Sequence, residues 1–438
     1  MSKVYFFKSS NLTLYKDKSG NKYYKNDEEL KTEEGKDDYN AQNFDNEIRS
    51  AVSGWVNNRF DNIVCLIGAG ASVVLGEDQK PDKKYGQTVY MIAEKIFSVL
   101  SSGKYSFDET KQNVLSSVFT LEELITKVQY TEVVVDNNGE AKTLNNFVVP
   151  SIDVSSRELS DKFNLENFLS VLLAYERFVP ERYKNKLDNS IKAIFQEIIK
   201  ATSYNYDDKK LKHAKFLNIL SKLNNKERKL NIVTTNYDTL IEDSANREGF
   251  TVLDGFKFAQ IPIFDASMFE WHLIKDVPNV KTKEVEYMSK VINLVKIHGS
   301  LTWEKTSDKK NIIRKSKDNV EEPVMVFPSS DKYAQSYQEP YFELFTKFQE
   351  LLKRSNTLLI TSGFSFADNH ISRMILQAIK SNSSLHVLAT DYNIDPKNPN
   401  ENWTDLVKMQ EKDYQVALLQ ATMNGKLTDY LGAENEHR

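Results

Sequence analysis

A single cysteine, Cys65, serves a chain of 438 residues. One thiol closes no intramolecular disulfide and builds no cysteine-rich zinc site. It sits inside the apolar run "IVCLIG" and reads as a small core residue rather than a nucleophile. Long apolar stretches are missing too: no run approaches the roughly 18 residues that span a bilayer. The opening "MSKVYFFKSS" lacks the apolar core and small-residue cleavage site of a secretory signal, so a cytoplasmic protein is expected. There is little net charge. Lys+Arg 58 against Asp+Glu 62 leaves −4, which gives no electrostatic case for nucleic acid as the main ligand. Only six histidines are present, so one standing at the end of a buried strand, as in "LVKIHGSLTW", invites a reason.

What is present is globular: 40% hydrophobic and 27% charged residues, over a length that suits two or three units. Five apolar runs read as buried strands: "NIVCLIGAG", "LNIVTTNYD", "NLVKIHGS", "NTLLITSGFSFAD" and "SLHVLATD". They alternate with helical patterns, which predicts an α/β fold with a doubly wound, Rossmann-like parallel sheet. The expected division is an N-terminal arm over 1–50, a core over 51–104 and 231–395, a mainly helical insertion over 105–230, and a helical tail over 396–438. The arm should hold a hairpin turning at Ser19-Gly20-Asn21, followed by a polar connector. A second hairpin is expected in "YTEVVVDNNGEAKTLNNFVV", with an Asn-Gly turn. The helix after the first strand is expected either at "ASVVLG" or later, at "QTVYMIAEKIFSVL". The charged stretch over 304–322 should protrude as a hairpin or loop.

Ligands of open α/β sheets bind outside the carboxyl ends of the strands. Here those ends are rich in chemistry, and each has a plain reading beside a functional one. "GAGAS" (Gly68, Ala69, Gly70, Ser72) is a tight turn, or a loop whose N–H groups approach a phosphate. "TTNYD" is an Asx turn capping a helix, or a source of an amide (Asn236) and a carboxylate (Asp238) for a pocket. His298 is a solvated turn residue, or a base beside a ribose that Gly299 leaves room for. "GFSFADNH" contains a helix cap in Asp368, with His370 in the first turn; Gly363 and Ser365 precede it and suit a phosphate or ribose. Asp391 either caps a loop or accepts the hydroxyls of a ribose.

The ordered set "GAGAS", "TTNYD", "KIHGS" and "GFSF" resembles the sirtuin-like domains, in particular the bacterial NAD-hydrolysing branch used in antiphage defence. The resemblance covers about residues 60 to 395. It implies a phosphate-binding loop at Gly68, Ala69, Gly70 and Ser72. It places Asn236 beside the nicotinamide–ribose bond, Asp238 on the nicotinamide amide and His298 next to the ribose hydroxyls. Gly363 and Ser365 match a later phosphate and ribose loop, and Asp391 the contact to the adenosine ribose. Protein-deacylating sirtuins carry a four-cysteine zinc ribbon, which one cysteine cannot build. Acyl-lysine chemistry is therefore not implied, and no zinc is expected.

Cleaving NAD, whose nicotinamide is already a cationic leaving group, needs little acid chemistry. It needs a held diphosphate, a twisted nicotinamide and a placed water. An asparagine suits the water because its amide both donates and accepts; a histidine takes the proton. The resemblance thus implies an NAD hydrolase, with NAD as substrate, Asn236 and His298 catalytic, and an abortive-infection role. Such an enzyme must stay silent until triggered. A homo-oligomer regulated by a separate protein is expected, with a HerA-type ATPase as the partner by analogy. Two other classes remain open: an ADP-ribosyl or acyl transferase, and a non-catalytic nucleotide-binding module.

Overall fold

A computed structural model describes residues 3–20, 22–31, 39–76, 80–82, 84–107, 114–135, 141–150, 157–225, 227–276, 285–308, 310–321, 323–325, 340–395 and 400–432. Backbone contacts divide the chain into two compact units. One takes Met1–Tyr85, Asn205–Met325 and Gln338–Arg438; the other is built on Gly86–Tyr204.

Eleven strands form one sheet in the first unit. Four come from the amino terminus: β1 (Lys3–Lys8), β2 (Thr13–Asp17), β3 (Tyr23–Lys25) and β4 (Glu28–Glu29). Then come β5 (Asn62–Ile67), β6 (Leu230–Thr234), β7 (Thr251–Leu253) and β8 (Val291–Lys296). Three more, β9 (Gly299–Lys305), β10 (Ile312–Arg314) and β11 (Pro323–Met325), make a separate small antiparallel sheet. β12 (Thr357–Ser362), β13 (Leu385–Asp391) and β14 (Val416–Gln420) complete the large one. Its order is β7-β8-β6-β5-β12-β13-β14-β1-β2-β3-β4. The first seven run parallel, and the last four join antiparallel. From β5 the chain builds outward first to one side and then, from β12, to the other. The order reverses between β5 and β12, which is the switch point of a doubly wound fold.

The parallel strands read as continuous apolar runs because helices cover both faces. On one face, Ile63, Cys65 and Ile67 of β5 join the side chains of α1 (Ala41–Val56), α2 (His213–Leu223), α3 (Leu240–Arg247) and α7 (Leu427–Leu431). Large apolar side chains buried there each contribute about 2 kcal/mol. Cys65 is fully buried, and burial pushes its thiol pKa up. It is the core residue that its apolar context suggested. On the opposite face, α4 (Tyr341–Lys353) touches β5, β8 and β12, α5 (Asn369–Ser381) lies on β13, and α6 (Glu401–Glu411) on β14. Local signals set these elements. Asn40 caps α1 through a reciprocal capping box with Asn43, and Phe44, Ile48, Val52 and Val56 form its buried stripe.

Two expectations about the ends of the chain are corrected. The tail over 396–438 is not wholly helical. Residues Val416–Gln420 form β14, buried between β13 and β1. An apolar run of four carries no period of its own, and its neighbours favoured the helical reading. The amino-terminal arm is not peripheral either: β1 pairs with β14, setting Phe7 opposite Leu419. The hairpin between β2 and β3 is present, with Gly20 in the left-handed region. Part of the polar connector after it, residues 32–38, lies outside the described residues.

The second unit holds the helices Val89–Leu100, Leu121–Lys127, Leu165–Tyr175 and Glu181–Thr202. Tyr130 packs edge-on against Phe163 and Phe168, and tilted against Phe147. The expected hairpin pairs Glu132–Val135 with Ala141–Leu144; its Asn-Gly turn lies outside the described residues. This unit begins before the 105 expected for an insertion and ends before 230. The stretch "QTVYMIAEKIFSVL" falls within it, while α2 belongs to the sheet-bearing unit.

Candidate active site at the switch point

One rung of the sheet organises the site. Lys296, Thr234, Ile67, Ser362 and Thr390 are cross-strand partners in sequence across β8, β6, β5, β12 and β13. Every motif follows this rung by one or two residues: His298, Asn236, Gly68, Gly363 and Asp391. The sheet therefore brings the five strand ends to one level of its carboxyl edge.

At the switch point the "GAGAS" and "GFSF" turns lie against each other. Gly68 N donates to Ser362 O at 3.0 Å, and Gly70 N to Gly363 O at 2.9 Å. Close approach is what these glycines provide. A Cβ on Gly363 would stand 1.9 Å from Ala71 N, and one on Gly68 would stand 2.5 Å from Gly363 O. Gly363 also has φ of 65°, in the left-handed region. The sequence left this freedom to a tight turn or to a phosphate; in the structure it permits contact between the two loops. The α-helix expected after β5 begins at the later of the two stretches offered for it. The chain makes one 3-10 turn over Ala69–Ser72, and the next helix, Val89–Leu100, belongs to the other unit. Among the described residues, the "GAGAS" turn itself opens no α-helix. Ala69 is exposed and Gly70 half-buried, so the outer side of the turn is open.

Asn236, Asp238 and Ser72 form one buried network. Asn236 Nδ2 donates to Gly68 O at 3.2 Å and to Ser72 Oγ at 3.1 Å. Ser72 Oγ donates to Asp238 Oδ2 at 2.9 Å. Asn236 N donates to Thr234 Oγ1 at 3.0 Å, fixing the backbone. Asn236 Oδ1 is buried and accepts no hydrogen bond from a described residue. A buried amide oxygen without a donor is costly, and this one fits a ligand hydroxyl, an amide or a water. Asp238 does two things at once. Its Oδ1 accepts from Leu240 N at 3.1 Å, at the start of α3, while Oδ2 holds Ser72. Nearby His213 is fully buried, and burial holds its imidazole down to about 4, against a weaker opposing pull from Asp238. It is neutral at pH 7.

Lys296 was not singled out in the sequence. It is 1% exposed, and its Nζ donates to Asp238 O and, at 2.8 Å, to Glu242 Oε1. A buried ammonium with those partners locks the loop that carries Asn236. Two residues later, His298 turns the chain from β8 into β9 and is 5% exposed. Its Nε2 lies 3.3 Å from Asp368 Oδ2. The space expected for a ribose at Gly299 is filled by protein. A Cβ there would meet Val324 O at 2.2 Å, and φ is 89°. The glycine serves the pairing of β9 with β11.

Ser365 is exposed, and its carbonyl accepts from Asn400 Nδ2 at 2.9 Å. Next to it, Phe366 is a non-glycine residue at φ 59°. Its carbonyl accepts from Ser372 Oγ and Asn402 Nδ2, both at 3.0 Å. Asn424, beyond β14, donates to Ala71 O at 2.9 Å and Val73 O at 2.8 Å and so braces the "GAGAS" turn. Asp391 stands two strands from β5, with Oδ1 accepting from Asn393 N at 3.0 Å. Burial raises its carboxyl pKa to about 6, against backbone hydrogen bonds that lower it. Among the described residues no group of three or more His, Cys, Asp or Glu side chains is arranged to hold a metal ion. No helix there is long and apolar enough to cross a membrane.

No curated protein matches the chain. Residues 230–419, fewer than half of the 438, match the family model of the SIR2-like domain. The match takes in "TTNYD", "KIHGS", "GFSF" and β14, beyond the 395 at which the sequence resemblance ended, and leaves out "GAGAS". With the doubly wound sheet around it, the match supports a sirtuin-like domain in this stretch, a class of domain that uses NAD.

Proposed function

We propose that the chain hydrolyses NAD to nicotinamide and ADP-ribose. The observation that carries this reading is the buried, donor-seeking Oδ1 of Asn236, which follows the same rung by two residues as His298 does. Asn236 holds a water by that oxygen. His298 takes the proton that the water loses as it bonds to ribose C1′, and the electrons of the C1′–N bond leave with nicotinamide. Asp238 has both carboxylate oxygens engaged, yet each retains lone-pair capacity for the nicotinamide amide. The open side of Ala69–Gly70 and the exposed Ser365 flank the switch point, where a diphosphate belongs in this fold. In this reading the enzyme is an abortive-infection effector, a homo-oligomer kept silent until a partner such as a HerA-type ATPase acts on it. The amino-terminal strands, the second unit and the loop 304–322 are the candidate contact surfaces.

The test is in two stages. The pure chain should bind ADP-ribose by calorimetry without any activator. Reconstituted with its neighbouring gene products, it should release nicotinamide and free ADP-ribose. ADP-ribose attached to protein would replace hydrolysis with transfer. NAD binding without turnover beside an active partner would leave a binding module, and a chain that binds neither nucleotide would end the reading.

Asp391 gives this proposal a pH dependence. A carboxylate accepts both ribose hydroxyls, whereas the protonated acid accepts them poorly. With the carboxyl at about 6, it is mostly ionised at pH 7 and mostly protonated at pH 5. ADP-ribose affinity should therefore fall about tenfold between those values. Asp391→Asn should bind more weakly at pH 7 and lose the dependence; identical pH profiles for the two proteins would remove Asp391 from the ribose. The stability sign is opposite. A carboxyl raised by burial favours folding below its unfolded value, and that contribution is lost as pH rises through about 6.

A further inference from the structure

We propose that Asp368 is the positioning residue of His298, an inference that rests on His298 being the base of the reaction above. Asp368 stands at the N-cap of α5. Its Oδ1 accepts from His370 N at 3.0 Å and Ile371 N at 3.3 Å. Those two bonds fix the rotamer, and a fixed carboxylate has a fixed second oxygen. That oxygen, Oδ2, lies 3.3 Å from His298 Nε2, with the two side chains 10% and 6% exposed. Water screens the pair little at that depth. The separation is long for a charge-assisted hydrogen bond, as catalytic contacts often are before substrate binds. The strand end that leads to Asp368 is held just as firmly. Phe366 keeps its left-handed backbone because Ser372 and Asn402 both bind its carbonyl. A residue forced into that region two places before the carboxylate is strain kept at a working loop.

The chemistry follows from which nitrogen faces the carboxylate. Nε2 is not aligned for a hydrogen bond in this structure, but it is the ring nitrogen beside Asp368; in the neutral ring, a proton on Nε2 that turns onto the carboxylate leaves the lone pair on Nδ1. Nδ1 then takes the proton from water or a ribose hydroxyl. The imidazolium so formed keeps its Nε2–H against the carboxylate, which stabilises the charge as it appears. One side chain thus does two things: it starts the helix, and it orients the base.

Three variants separate these jobs. Asparagine caps a helix about as well as aspartate but has no charge; glutamate keeps the charge and caps poorly; alanine does neither. In the reconstituted system, Asp368→Asn should keep the wild-type melting temperature and lose at least about tenfold in NAD turnover. Asp368→Glu should melt lower than Asp368→Asn and yet turn over faster. The acid limb of the pH–rate profile should move to lower pH in Asp368→Asn, because the imidazolium has lost its counter-charge. Turnover that follows melting temperature across the three variants, or an unmoved acid limb, overturns the proposal. If no form of the chain cleaves NAD, the hydrolase reading fails, and the pair is judged alone. NMR titration of labelled His298 should then still shift to lower pH in Asp368→Asn, and coincident curves reject the contact.

Discussion

Asn236→Ala protein should retain its fold and lose about a thousandfold of its NAD turnover, and His298→Ala should fall as far. The two residues leave adjacent strands from one cross-strand pair, Thr234 with Lys296. In the proposed reaction they act on the same ribose, from positions that the sheet itself fixes. Residues that act as a unit are not additive, so the double variant should be no slower than the worse single one. Asn236 also has a structural part. Its Nδ2 bonds Gly68 O and Ser72 Oγ, and alanine leaves both short of a donor, at about 1–3 kcal/mol. ADP-ribose binding separates the two effects: a variant that binds product and does not turn over has lost chemistry, not architecture. Near-normal turnover in both single variants would refute the assignment.

Gly363→Ala should destabilise the sheet-bearing unit by about 4 kcal/mol or more and abolish nucleotide binding. The new methyl would meet Ala71 N at 1.9 Å and Gly70 C at 2.4 Å, both backbone atoms that have no rotamer to change. Gly20→Ala is the matched control. Gly20 has a similar φ of 74° but nothing within 4 Å of a Cβ, so only the left-handed conformation is penalised, at about 1 kcal/mol. Chemical denaturation of both variants against wild type measures the difference, which is the loop contact alone. Equal losses would mean that the two turns separate at little cost.

The sequence was most legible where physical demands were local. "NIVCLI", "LNIVT" and "TLLITS" showed themselves as strands because both faces of the sheet are covered and no polar alternation is needed. Asn236 and His298 each had a plain structural reading alone, and stood out only because four such strand ends occur in one order. What stayed hidden depends on partners distant in sequence. β14 is a strand because β13 and β1 flank it, and nothing in "VALLQ" announces them. Lys296 reads as one charge in an apolar run until Asp238 O and Glu242 are found at its ammonium. Asp368 was legible as a cap from its own helix; its second oxygen acquires meaning only from His298. The glycines at 68, 70 and 299 were read as places where a turn or a ligand comes close to the backbone. Sequence alone could not say that protein, rather than ligand, fills the room.

The contact between the "GAGAS" and "GFSF" turns has a consequence in time. Its two halves come from β5 and β12, whose register sets Cys65 beside Ile360, with most of the chain between them. Closing so long a loop is among the most entropically demanding steps of folding and tends to come late. A ribosome-bound chain therefore carries Asn236 and then His298 well before it can assemble a nucleotide site around them. Because Asp368 and the "GFSF" turn are synthesised after both, a chain cut before β12 should release no nicotinamide from NAD. For the NAD hydrolase proposed above, synthesis order would itself be a safety catch.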